Sequence, residues 1–131
     1  MMNMSRKSDW LQYSEELLEI GTLLLKNGKY SWSCFTYQQS SAAALKAILS
    51  KLGESTFGDN LIALLRVVDK NKQITNEVKE ACHTLNNYFK SSRDLESHAE
   101  GTPSNYYTEK DATEAKHCAH TILRFAHQAA H

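Results

Sequence analysis

The stretch LLLKNGKYSWSCFTYQQSSAAALKAIL, residues 23–49, decides how this chain folds. Its apolar run stops at Lys26-Asn27-Gly28-Lys29, where Gly28 accepts the left-handed backbone that follows a helix end. From Tyr30 onward a second helical pattern begins. Phe35, Gln38, Ala42, Leu45, Leu49 and Leu52 recur at three- and four-residue steps, with Cys34, Ser41 and Ile48 beside them. The centre, SSAAALKA, is small and smooth, so a neighbouring helix can approach closely. The stretch therefore reads as a helix, a tight turn and a second helix.

The same reading extends in both directions. Upstream, a helix over residues 8–26 carries the stripe Trp10, Ser14, Leu17, Gly21 and Leu24, flanked by Leu11, Leu18 and Leu25. Downstream of Gly53, a shorter helix over 60–69 presents Leu61, Leu64, Leu65 and Val68, with Asp59 or Asn60 as its cap. A fourth helix spans about 75–90 through Val78, Cys82, Leu85 and Phe89. A polar loop over 97–107, broken by Gly101 and Pro103, leads to Thr108. Thr108 and Asp111 have the spacing of a capping box for a last helix whose Ala112, Ala115, Ala119, Ile122 and Ala126 face inward. The expected architecture is all-α: a compact antiparallel bundle of four long helices plus one short helix, forming a single domain over residues 1–131.

Composition agrees and narrows the function. The chain has 131 residues, 15 Lys+Arg against 15 Asp+Glu, and only one Pro. Zero formal net charge gives no global field to coat a polyanion, although a local basic cleft stays open. No apolar run of about 18 residues exists, so no membrane span is expected. The start MMNMSRKSDW lacks the apolar core of a secretory signal. Cys34, Cys82 and Cys118 are scattered, odd in number and set among apolar neighbours, which reads as free, partly buried thiols in a cytoplasmic protein.

Three groups of residues carry chemistry. RDLESH, residues 93–98, holds Arg93, Asp94 and His98 beside the loop. An arginine and a histidine this close form either an RNA-cutting pair or two polar residues at a helix end. Gln38 and Gln39 form the second group. A glutamine in an apolar stripe needs hydrogen-bond partners. It supplies either a register-fixing bond between elements or a contact to a nucleotide or a second subunit. Tyr106 and Tyr107, in the loop, can stack bases or pack the loop. Trp10, Trp32 and Tyr37 read as core or subunit interface. His117, His120, His127 and His131 pair at helical spacings on the last helix, but no further ligand stands at a zinc-site spacing, so no metal and no cofactor is expected.

Taken together, these segments resemble the HEPN domains, small helical proteins of archaea and bacteria. Gly28, Tyr30, Gln38, Gln39, Leu45, Lys46 and Ala47 match the family's first hairpin. Tyr88, Arg93, Pro103, Tyr107, Thr108 and Asp111 match its second half by order and spacing, and the resemblance runs from about Trp10 to Phe125. The chain departs where the family often has an acid (here Ala42), a histidine before the short helix (here Asp59) and Arg-Tyr-Pro-Asp (here Arg93-Asp94-Leu95). The last departure moves it towards the ribonuclease members, in which an arginine, a polar residue and several spacers precede a histidine. Arg93-Asp94-x3-His98 fits that pattern. Relatives controlled by nucleotidylation carry a tyrosine two residues after the histidine, where this chain has Glu100.

What the resemblance implies is a metal-independent endoribonuclease, the toxin of a toxin–antitoxin pair. His98 would be its acid/base, Arg93 its phosphate binder and Asp94 an orienting group. It also implies a homodimer in which both motifs line one cleft, and a minimal nucleotidyltransferase as antitoxin. The alternatives are a noncatalytic nucleotide-binding or adaptor subunit of such a nucleotidyltransferase, and a purely structural dimer module. The chemistry suits the residues. Histidine exchanges a proton near neutrality, and arginine grips phosphate oxygens as a fork. The spacing sets a condition: five residues of continuous helix rotate a side chain by roughly 140°. Arg93 and His98 can converge only if the fourth helix ends or distorts between them.

Overall fold

Local signals place the helix ends and tertiary packing places the rest. The computed structural model describes residues 5–55 and 58–131; Met1–Met4, within the amino-terminal stretch read above, lie outside the described residues. Helix α1 is Lys7–Lys26, α2 Tyr30–Lys51, α3 Leu61–Asp69, α4 Asn76–Asn86, α5 Tyr88–Ser91 and α6 Glu109–Ala129. Among the described residues there is no strand. At the end of α1, Gly28 takes φ 74°. The Lys29 N–H then reaches Leu24 O at 2.9 Å and the Gly28 N–H reaches Leu25 O at 3.2 Å. This paired closure satisfies carbonyls that the helix leaves open, and only a residue tolerant of positive φ permits it. Asn60 caps α3 through the Ile62 and Ala63 N–H groups, and the Thr108–Asp111 box opens α6.

Helix α2 is the axis of the bundle and touches each of the other five helices. Its Cys34, Tyr37, Leu45 and Ile48 are fully buried. Against them pack Leu61, Leu64 and Val68 of α3, Val78, Cys82 and Leu85 of α4, and Ala112, Ala115, Ala119, Ile122 and Ala126 of α6. The α1–α2 pair is antiparallel and close. The Arg6 N–H donates to Ser50 Oγ (2.8 Å), and Ser14 and Ser40 each donate a hydroxyl to the other's backbone carbonyl (2.7 Å each). Ser33 Oγ donates to Gly21 O (2.8 Å). Small residues let the helices approach, and each buried hydroxyl finds an acceptor, as burial requires.

The fourth helix is interrupted rather than continuous to residue 90. It stops at Asn86, whose side chain accepts the Leu61 N–H at 2.8 Å and so ties the end of α4 to the start of α3. After Asn87 a single turn, α5, follows. Ser91 Oγ donates back to Asn87 O at 2.9 Å and Ser92 Oγ donates back to Tyr88 O. Serine hydroxyls that bond the carbonyl four residues back compete with the helix ladder and bend it. A one-turn 3₁₀ helix, Leu95–Ser97, leads into the segment expected as a loop, and a second, Pro103–Asn105, lies within it.

All three cysteines are buried and free. Burial pushes the Cys34 and Cys82 thiols up to about 12 and the Cys118 thiol to about 11; the Asp111 and Glu114 carboxylates add to the rise at Cys34. The thiolate is the reactive form. A water-soluble aromatic disulfide at pH 8 is therefore expected to leave the native thiols unmodified and to react with all three in guanidinium. Rapid stoichiometric reaction of the native protein would contradict this packing.

Candidate functional site

The site begins where α5 ends. Beyond Ser91 the chain leaves the helix, and the Asp94 side chain accepts the Glu96 N–H at 3.0 Å, capping the Leu95–Ser97 turn. The Ser97 N–H bonds Asp94 O at 3.1 Å. His98 follows in extended backbone, φ −123° and ψ 140°. Its ring folds back so that Nε2 lies 2.7 Å from Ser91 O. A carbonyl only accepts, so Nε2 carries the proton in this contact. In the neutral ring, Nδ1 then keeps the lone pair.

Tyr106 holds the other aspect of His98. The two rings stack with centroids 4.2 Å apart and planes at 14°. The Tyr106 hydroxyl donates to Glu100 O at 2.5 Å, which anchors the stack to the loop. Gly101 lets the loop turn here: its φ is 74°, and a Cβ at this position would lie 2.6 Å from Asn105 Oδ1. That oxygen accepts the Thr102 N–H at 2.8 Å. Tyr107 faces inward instead. It meets Tyr88 edge to face at 5.6 Å, and its hydroxyl bonds Ser91 Oγ. Ser91 thus serves two tyrosine- and histidine-bearing segments at once, its carbonyl taking His98 and its hydroxyl taking Tyr107.

Arg93 is exposed but not loose. Its guanidinium lies 4.9 Å from the Phe35 ring centroid and 5.2 Å from that of Phe89. Cation–π contact with two rings fixes the planar group while leaving its edge for an anion. No hydrogen bond, ion pair or ring contact joins Arg93 to His98 among the described residues. Both belong to the short segment that follows Ser91, Arg93 directed to Phe35 and Phe89 and His98 to Ser91 O and Tyr106.

The glutamines occupy a different neighbourhood, between α2 and the start of α3. Gln38 is fully buried. Its Nε2 donates to Asp59 O at 2.6 Å, and its Oε1 accepts Gln39 Nε2 at 2.7 Å. Lys46 adds a partly buried ion pair to Asp59 Oδ1 at 2.6 Å, and its ammonium lies 5.3 Å from the Trp10 ring centroid. Gln38→Leu would leave the Asp59 carbonyl and the Gln39 amide short of partners. A loss of about 1–3 kcal/mol in urea unfolding is expected. Unchanged stability with weakened nucleotide affinity would instead assign Gln38 to ligand contact.

Other clusters add little. His127 pairs with Glu15 at 2.8 Å. Among the described residues no group of three or more His, Cys, Asp and Glu side chains is gathered to hold a metal ion. A groove lined by Glu109, Lys110, Thr113, Glu114 and His117 and another between α4 and α6, involving Glu77, Val78, Thr121 and Arg124, include none of the predicted site residues. Ser91, Phe35 and Phe89 are the supporting residues the sequence reading did not assign to the site. Phe35 and Phe89 appeared there only as stripe residues, and a backbone carbonyl such as that of Ser91 leaves no trace in a sequence.

The family model for the HEPN domain matches residues 8–129. The chain belongs to the HEPN domain family. Solved structures agree with the assignment. The protein TT1696 from Thermus thermophilus is 30% identical, with a TM-score of 0.92 over 96% of this chain and 99% of that one. ST0689, described as an archaeal HEPN homologue, is 28% identical with a TM-score of 0.81, over 98% of this chain and all of that one (100%). A HEPN domain protein from Thermotoga maritima, at 22% identity and TM-score 0.75 over 92% and 95%, shares the fold. No curated protein matches the chain. No helix of this HEPN protein is long and apolar enough to cross a membrane among the described residues.

Proposed function

We propose that this HEPN protein is a metal-independent endoribonuclease, acting as a homodimer and as the toxin of a toxin–antitoxin pair in the cytoplasm. The observation that carries the reading is the return of the chain after α5. It ties the His98 Nε2 proton to Ser91 O, two residues from the π-clamped Arg93. His98 Nδ1 is then the base that takes the proton from a ribose 2′-hydroxyl. The 2′-oxygen attacks phosphorus, the 5′-oxygen leaves and recovers a proton, and a 2′,3′-cyclic phosphate remains. Arg93 meets the negative charge that builds on the phosphoryl oxygens. Asp94 shapes the turn between them, and Tyr106 keeps the imidazole oriented.

Dimerisation is part of the proposal because, within one subunit, the partners of Arg93 are Phe35 and Phe89 and those of His98 are Ser91 O and Tyr106, with no bond joining the pair among the described residues. A second copy related by a two-fold axis would bring another exposed 93–98 segment to the same strand. Tyr13, Ile20 and Leu23 are exposed along α1 and offer apolar surface for such a pairing. A minimal nucleotidyltransferase is the proposed antitoxin. The test is cleavage of structured and unstructured RNA by the purified protein in chelator. Cyclic-phosphate products support the reading, and intact RNA at dimeric protein concentrations rejects it.

The balanced charge, 15 cationic against 15 acidic residues, favours a second reading. In it the chain is a noncatalytic nucleotide-binding or adaptor subunit beside the nucleotidyltransferase. Nucleotide binding by calorimetry, with no cleavage, would select it.

A further inference from the structure

The aromatic side chains near the site are unequally occupied. Tyr106 is stacked on His98, and Tyr107 is packed on Tyr88. Trp10 is half-buried under the Lys46 ammonium. Trp32, in the first turn of α2, differs from all of these. It is 49% exposed, and its indole N–H has no acceptor among the described residues. Among the described residues its only ring contact is with Phe35, edge to face, with centroids 6.2 Å apart and planes at 84°. Phe35 is also the ring on which the Arg93 guanidinium rests, at 4.9 Å. An open indole and an anion-ready guanidinium are therefore mounted on one phenylalanine.

We propose that Trp32 and Arg93 form a subsite for one nucleotide of single-stranded RNA, the base stacked on the indole and an adjoining phosphate on the guanidinium. The proposal rests on the reading of Arg93 as an RNA-phosphate binder. It goes further in naming the strandedness of the substrate and a residue outside the Arg-x4-His motif. Trp32 and Arg93 each lie against Phe35, at 6.2 and 4.9 Å, which keeps the base platform and the phosphate fork in one neighbourhood of the surface. In a duplex the base faces are already stacked, so an aromatic platform selects unpaired strands. The indole is also pre-oriented. Its contact with Phe35 restricts the ring before ligand arrives, so less freedom is lost on binding. Each aromatic face tolerates any base, so the subsite selects single strands and reads no sequence.

The experiment uses the full chain with Trp10→Phe, which leaves Trp32 as the only tryptophan. The probe is a 2′-O-methyl pentanucleotide, which binds but has no 2′-hydroxyl to attack. Its titration should quench the emission, whereas an abasic strand of equal length and charge should quench little. Measured by calorimetry with the 2′-O-methyl strand, Trp32→Ala should weaken binding about 5- to 100-fold, with Trp32→Phe intermediate. The salt dependence should stay unchanged in Trp32→Ala and flatten in Arg93→Ala, because only the arginine displaces counterions from phosphate. Wild-type affinity in Trp32→Ala overturns the subsite and leaves the ribonuclease reading intact. Loss of affinity that tracks dissociation to monomers by sedimentation also overturns it, assigning Trp32 to a protein interface. Failure of the unmodified protein to bind any strand rejects both readings together.

Discussion

His98→Ala is expected to lower the rate of RNA cleavage by about 10²- to 10⁴-fold, the range for removal of a positioned acid or base. Its fold should survive, because the ring bonds the terminal carbonyl of the one-turn helix α5 and stacks on an exposed tyrosine. Arg93→Ala should be comparably damaging, through lost stabilisation of phosphoryl charge. Arg93→Lys should recover only part of that loss. An ammonium keeps the charge but can neither lie flat between Phe35 and Phe89 nor offer a fork to phosphate. Nitrogen NMR tests the tautomer on which the choice of Nδ1 as base rests: neutral His98 should be the Nε2–H form. Cleavage unchanged in both alanine variants would remove these residues from the mechanism.

Subunit mixing separates a composite cleft from two independent sites. If Arg93 of one copy serves His98 of the other, a mixed dimer of Arg93→Ala and His98→Ala holds one intact pair. Statistical mixing of the two inactive variants should then restore about a quarter of wild-type activity. If each subunit works alone, mixing restores none. Within one chain Arg93 rests on Phe35 and Phe89 while His98 is bonded to Ser91 O, and these separate partners lead us to expect recovery.

The parts of this structure legible in the sequence are those governed by local rules. Gly28 closes α1 because the left-handed turn is a property of one residue. Thr108 and Asp111 form their box because the partners stand three residues apart. Leu61, Leu64, Leu65 and Val68 are buried together because helical period alone puts them on one face. The interruption at Asn87 was not legible. It depends on Asn86 capturing the Leu61 N–H, a bond between elements 25 residues apart, and on two serines whose choice between solvent and backbone is made by packing. The candidate site divides in the same way. RDLESH was visible as a motif, and the need for a helix end between Arg93 and His98 followed from rotation per residue. That Arg93 would lie on Phe35, far upstream in α2, is a tertiary fact. Gln38 stood between the two cases. Its place in an apolar stripe required partners, but nothing local pointed to Asp59 O.

The tight approach of α1 to α2 gives the largest expected effect on stability. Gly21 of α1 lies against the Tyr37 ring, and a Cβ there would meet its Cε1, Cδ1 and Cζ at 2.7, 2.8 and 3.1 Å. The ring has nowhere to go. It is fully buried, and its hydroxyl is held by Thr22 Oγ1 at 2.9 Å. Alanine at position 21 gains about 1 kcal/mol from helix propensity. Against this stand overpacking, about 1–3 kcal/mol, and the strained Tyr37–Thr22 and Ser33–Gly21 bonds, about 1 kcal/mol each. Gly21→Ala should therefore lose about 2–4 kcal/mol in urea unfolding, and Gly21→Val more, because its branch adds volume to the same contact. The cause is checked by a double-mutant cycle. In a Tyr37→Leu background the ring is gone, and Gly21→Ala should become neutral or stabilising through propensity alone. Equal losses in both backgrounds would show that the ring contact is not the source. The consequence reaches the site, because Phe35 lies on α2 two residues before Tyr37. A shift of α2 that relieves the clash would also move the ring on which Arg93 rests.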